Sequence, residues 1–132
     1  MTAKDIRNIC LLGHGGNGKT SLVESMLYLT GGTDRLGKVT DGNTVCDYDP
    51  EEIKRKISIS LSVAPIEFKG VKINVIDTPG YFDFSGEVLE ALRVADAGII
   101  VCAAKGGVSV GTEKAWRYLQ ERNMPRAIYI SK

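Results

Sequence analysis

Residues 13–20 read Gly13-His14-Gly15-Gly16-Asn17-Gly18-Lys19-Thr20, and the pattern G-x-x-x-x-G-K-[ST] they carry decides the fold. Ile6 to Leu12 before it is a short apolar run that predicts a buried strand ending at Gly13. After it, Leu22, Val23, Met26, Leu27 and Leu29 put apolar groups mostly on one side of a helix over Lys19 to Thr30, with Gly31 and Gly32 as its C-terminal caps. A glycine-rich bend between strand and helix lets successive backbone N–H groups turn inward on one anion. A Cβ at the glycines would block that curl. The helix N-terminus adds partial positive charge, and Lys19 adds a full one. The Thr20 hydroxyl offers a hard oxygen to Mg²⁺, and Ser21 stands ready for an inner phosphate. The stretch therefore predicts a polyphosphate cradle made by Gly13, His14, Gly15, Gly16, Asn17, Gly18, Lys19, Thr20 and Ser21. His14 is given no catalytic role, since a lone loop histidine is more often a packing residue.

Working outward, Thr30 to Lys56 is polar and aperiodic, with four Asp, four Gly and Pro50, and reads as a mobile functional loop or an ordinary disordered insertion. Ile57 to Val63 alternates, Ile57, Ile59, Leu61 and Val63 against Ser58, Ser60 and Ser62, which predicts a strand with its apolar face buried and its serines toward solvent. Pro65 makes it an edge strand, and Lys69-Gly70 turns it into a second strand, Val71 to Ile76, antiparallel to it. Asp77-Thr78-Pro79-Gly80 closes that strand. A helix follows with Phe84, Val88, Ala91, Leu92 and Ala95 inward and Asp83 or Ser85 as cap. Ala97 to Ala103 predicts a fully buried parallel strand and Gly106-Gly107 a loop. A helix from about Thr112 to Arg122 turns Ala115, Trp116 and Leu119 inward, and Ala127 to Ile130 predicts another buried strand. Alternating strands and helices imply an α/β fold with a mostly parallel sheet covered on both faces and one antiparallel edge strand. With the glycine-rich bend, that is the three-layer P-loop NTPase fold, here one domain over 1–132.

Composition excludes several classes. The chain has 132 residues, 43% hydrophobic and 25% charged, an ordinary globular balance rather than a disordered or coiled-coil one. Seventeen Lys and Arg against sixteen Asp and Glu leave a net charge of +1, so no electrostatic footprint for naked nucleic acid or an anionic membrane exists. Cys10, Cys46 and Cys102 form neither a disulfide framework nor a zinc site, and a reducing cytoplasm fits them. No apolar run is long enough to span a membrane, and the N-terminus lacks the form of a signal peptide.

The glycine-rich bend together with Asp77-Thr78-Pro79-Gly80 resembles a translational GTPase. Glu52-Ile53-Lys54-Arg55-Lys56-Ile57-Ser58-Ile59 is similar to that family's lid motif E-x-x-R-G-I-T-I. Phe82-Asp83-Phe84, Arg93-Val94-Ala95-Asp96 and Gly107-Val108 are similar to the elongation factor G branch, related also to ribosomal protection proteins. The resemblance covers essentially the whole chain and implies the N-terminal part of a GTP-binding domain of a longer, ribosome-acting protein. It implies GTP or GDP with Mg²⁺. Thr20, Ser58 and Asp77 become metal ligands, although by its own pattern Ser58 is one of three strand serines. Lys19, Gly80 and Tyr81 become catalytic, and Asp77, Thr78, Pro79, Gly80 and Tyr81 join the nucleotide site. Pro79 and Gly80 allow a turn that changes when the terminal phosphate leaves.

Three positions depart from the family pattern. Gly16 stands where Asp is usual, Lys56 where the lid has Gly, and Tyr81 where the family has His. A phenol, with an ordinary pKa of about 10, hydrogen-bonds but takes no proton at neutral pH. The guanine-selecting N-K-x-D is cut to Ser131-Lys132, so the chain reads as truncated before that element. Surface exposed by truncation would favour self-association. The leading expectation is a GTP-hydrolysing switch acting on the ribosome. A GTP-sensing binding module with little hydrolysis is the alternative, and an ATP-using P-loop enzyme such as a kinase a third reading.

Overall fold

The computed structural model describes residues 1–14, 18–32, 61–78 and 85–131. A five-stranded sheet runs through it, built from β1 (Ile6–Leu12), β2 (Ser62–Phe68), β3 (Val71–Asp77), β4 (Ala97–Ala103) and β5 (Arg126–Ser131) in the order β2-β3-β1-β4-β5. β1 pairs in parallel with β3 and β4, and β4 with β5; only β2 is antiparallel, at one edge beside β3. Among the described residues, three α-helices pack on it: α1 (Lys19–Leu29), α2 (Ser85–Val94) and α3 (Val110–Glu121).

Two apolar cores lie on opposite faces of the sheet. Leu11, Val23, Leu27, Ala64, Ile66 and Val75 form one beneath α1. The other, beneath α2 and α3, gathers Cys10, Leu12, Ile76 and Ile100 from the strands with Leu92 and Leu119 from the helices. Burial pushes the Cys10 thiol up to about 11. This is the expected three-layer α/β fold, mostly parallel with one antiparallel edge.

Several local features follow directly from residue chemistry. Pro65 lies in the edge strand, where the lack of an N–H is tolerated. Lys69 and Gly70 both adopt positive φ, 50° and 78°, the twist a two-residue hairpin requires. α1 ends where Gly31 takes φ 79°: its N–H donates to Tyr28 at 3.2 Å and that of Gly32 to Leu27 at 2.7 Å, a Schellman close. Gly98 has no side chain where one would meet Leu119 Cδ2 at 2.6 Å, so α3 lies tightly on β4.

Some expectations are corrected. Ser62, Ala64 and Ile66 face the core, whereas Val63 is 54% exposed, the reverse of the expected assignment. The alternation is real, but α1 covers the serine side of β2, while Val63 lies on the other face of this edge strand. The apolar run over β5 predicts burial, yet Ile128, Tyr129 and Ile130 are exposed: among the described residues β5 is the opposite edge of the sheet and pairs with β4 alone. β4 is buried along its centre rather than throughout, and β1 is buried only in its second half. Trp116 does not point inward: 43% exposed, it stacks with the Arg126 guanidinium, 4.7 Å from the ring centre. Leu29 is exposed as well. α3 starts two residues earlier than expected, at Val110, with Ser109 as cap. Ser85 is the first helical residue of α2; Asp83 and Phe84 lie outside the described residues, as do Ile57, Ile59 and residues 33–56, where the sequence predicts a loop.

Candidate functional site

The C-terminal ends of the parallel strands β1 and β3 lie side by side, with Leu11 opposite Asp77. Thr78 fastens them, its hydroxyl donating to the Leu11 carbonyl at 2.5 Å. The chain leaves β1 through Gly13, whose φ of 141° suits glycine and whose Cβ, if present, would run into the Val101 carbonyl oxygen of β4. Gly18, with φ 89°, opens α1 from the left-handed region. Both glycines are required by backbone geometry.

Lys19 begins α1 and folds back over the loop. Its ammonium donates to the Gly13 carbonyl at 3.0 Å and the His14 carbonyl at 3.3 Å, and the residue is 6% exposed. Burial lowers its pKa, and the charge of Asp77 acts in the opposite direction. Thr20, one residue on, donates its hydroxyl to Asp77 Oδ2 at 2.6 Å, and both are buried. Ser21 is exposed on the first turn of α1. A desolvated cation, a hydroxyl and a carboxylate thus meet where α1 begins and β3 ends. That arrangement can neutralise an anion and supply hard oxygens to a divalent cation.

Gly13, His14, Gly18, Lys19, Thr20, Asp77 and Thr78 are therefore brought to one end of the sheet. The Thr78 hydroxyl hydrogen is engaged by the Leu11 carbonyl. Gly15, Gly16, Asn17, Ser58, Pro79, Gly80 and Tyr81 lie outside the described residues. Three residues escape a reading of the sequence. Glu24 is buried on α1 at 1% exposure, and Ser62 is buried opposite Asp77 in the β2–β3 register. Gly111, in the first turn of α3, abuts His14. A charged residue within an apolar helical face is the available signal for Glu24; nothing in the pattern marks Ser62 or Gly111.

Mg²⁺ fits the residues present. Thr20 and Asp77 contribute adjacent oxygens, the donor type that ion prefers. Among the described residues no group of three or more His, Cys, Asp or Glu gathers to hold a metal. A Mg²⁺ ion held by one or two protein oxygens takes its other ligands from phosphate and water.

Residues 4–132 match the family described as the elongation factor Tu GTP binding domain. An elongation factor G-like protein of Mycobacterium tuberculosis is 44% identical over 127 residues, 96% of this chain and 18% of the relative. The mitochondrial ribosome-releasing factor 2 of Candida albicans is 41% identical over 130 residues, 98% of this chain and 16% of that protein. A crystal structure from Thermus thermophilus superposes with a TM-score of 0.92 at 42% identity, covering 95% of this chain and 19% of that one. The chain thus spans less than a fifth of the length of these relatives. It belongs to the elongation factor Tu GTP binding domain family.

Proposed function

We propose that the chain is the GTP-binding and GTP-hydrolysing part of a switch that acts on the ribosome in the cytoplasm. The observation that carries this reading is the placement of the Lys19 ammonium on the Gly13 and His14 carbonyls, directly beside the Thr20–Asp77 pair. Gly13, His14, Gly15, Gly16, Asn17, Gly18 and Ser21 wrap the phosphates, and Thr78, Pro79, Gly80 and Tyr81 border the terminal one. Lys19 exchanges two carbonyl partners for β- and γ-phosphate oxygens, where its charge offsets that developing in the transition state. Water attacks the γ phosphorus in line, giving GDP and inorganic phosphate. Thr20, Ser58 and Asp77 would hold Mg²⁺, which supplies further charge neutralisation on the phosphates. The Gly80 N–H meets the terminal phosphate and Tyr81 hydrogen-bonds near the attacking water. Departure of phosphate then releases the segments bearing Ser58 and Gly80.

Tyr81 favours a second reading, a GTP sensor with little intrinsic hydrolysis, because a phenol does not accept a proton at neutral pH. Single-turnover hydrolysis by the full-length protein, with and without ribosomes and with GTP and ATP in competition, separates the readings. Ribosomes should raise the GTP rate by about tenfold or more, and Tyr81→His should raise it further. Equal competition by ATP would overturn the GTP assignment, and a ribosome-independent, negligible rate would leave only the sensor.

A further inference from the structure

We propose that Gly111 is a positioning residue for the phosphate loop, a point at which α3 sets the place of His14 and therefore of the carbonyls that hold Lys19. This rests on the nucleotide-binding reading above. Gly111 is the second residue of α3, and an ideal Cβ built there would lie 2.9 Å from His14 Cα, 2.9 Å from His14 Cβ and 3.0 Å from His14 Nδ1. The nearest of these atoms belongs to the backbone of the phosphate loop, so the contact is not relieved by turning a side chain. Gly111 also lies outside the left-handed region that favours glycine. Its small size, rather than backbone conformation, is what the site uses.

α3 is the less yielding partner. Ser109 caps it, accepting from the Thr112 N–H at 3.3 Å with its hydroxyl 3.0 Å from Thr112 Oγ1. Thr112 is buried and in reach of Cys102 Sγ on β4 at 3.9 Å. Gly13, just before His14, already touches the Val101 carbonyl of the same strand. The Gly13-His14 segment is thus seated against β4 on one flank and the first turn of α3 on the other. A methyl group at residue 111 would displace the two carbonyls that place Lys19.

The test separates affinity from stability in the full-length protein. Displacement of binding groups by a fraction of an ångström predicts that Gly111→Ala weakens GDP binding about tenfold, read with a fluorescent GDP analogue. The Tm should fall only modestly, as expected for one methyl group in a tight contact, with the protein still folded. Gly111→Ser carries the same Cβ and should weaken binding to a similar degree. His14→Gly removes two of the three close atoms, so the double variant Gly111→Ala/His14→Gly should bind more tightly than the product of the single effects predicts. Wild-type GDP affinity in both Gly111 variants would overturn the positioning role, as would strictly multiplicative effects in the double variant. Unfolding of both variants would overturn it too, by showing the contact to be purely structural. Absence of nucleotide binding by the wild type would instead refute the proposed function itself.

Discussion

Lys19 is held where a cation is costly to keep. It is almost fully buried, its ammonium rests on two neutral carbonyls, and burial is the main cause of its lowered pKa. Stability and binding therefore make opposite demands on this residue. Replacing it with methionine removes the desolvated charge while keeping much of the packing volume, and the net lowering of the Lys19 pKa shows that the cost of burying this charge exceeds the opposing attraction of Asp77. Lys19→Met should thus unfold no more easily than wild type at neutral pH in urea, while GDP affinity falls by about ten- to a hundredfold. The pH dependence has a definite sign. The folded-state pKa lies below the ordinary 10.5, so between the two values the unfolded chain binds more protons than the folded one. As pH rises through that interval the Lys19 contribution becomes less unfavourable. The stability gap between variant and wild type should narrow on the alkaline side. A variant clearly less stable than wild type at every pH would show that the ammonium–carbonyl contacts outweigh desolvation.

At the scale of elements, the seam between β4 and α3 is set by one missing side chain. Gly98 lies under Leu119, which is fully buried, and a Cβ at 98 would come within 2.6 Å of Leu119 Cδ2 and 2.9 Å of Cδ1. Inserting a methyl group into such a contact costs about 1–3 kcal/mol. Gly98→Ala should lower stability by that amount in urea denaturation, whereas in a Leu119→Ala background the same change should cost little, since the colliding methyls are gone. Additive losses in the double variant would place the cost elsewhere. The seam also shows where sequence pattern stops being informative. The nucleotide-loop motif, the hairpin turn, Pro65 at an edge and the Schellman close of α1 are readable because each depends on a few adjacent residues. The side of β2 that is buried is not. Alternation separates Ser62 from Val63 but is silent on which face a helix covers, and the packing of α1 on the Ser62, Ala64 and Ile66 side decides it. In the site the same division holds. Gly13, Gly18, Lys19, Thr20 and Asp77 carry their signal in a motif, while Gly111 and Ser62 reach the site only through tertiary contact.

Across the whole molecule, burial is concentrated at the middle of the sheet and declines toward its edges. Cys10, Leu11, Val75, Ile100 and Val101 on β1, β3 and β4 have no exposed surface, while at one edge Ile128, Tyr129 and Ile130 are 57%, 45% and 67% exposed. Apolar sequence makes β5 look like a central strand, and its position as a one-sided neighbour of β4 makes it surface instead. The two kinds of isoleucine should therefore behave differently. Ile100→Ala empties part of the core beneath α2 and α3 and should cost about 2–5 kcal/mol. Ile128→Lys and Ile130→Lys, at sites already facing solvent, should each change stability by about 0.5 kcal/mol or less. An exposed edge strand bearing apolar side chains is also a pairing surface. Those two lysine variants should accordingly reduce concentration-dependent self-association of the 132-residue chain, measured by sedimentation velocity, without lowering its Tm. If the lysine variants unfold as readily as Ile100→Ala, β5 is part of the core; if they fold normally but sediment as wild type does, the β5 edge is not where copies of the chain meet.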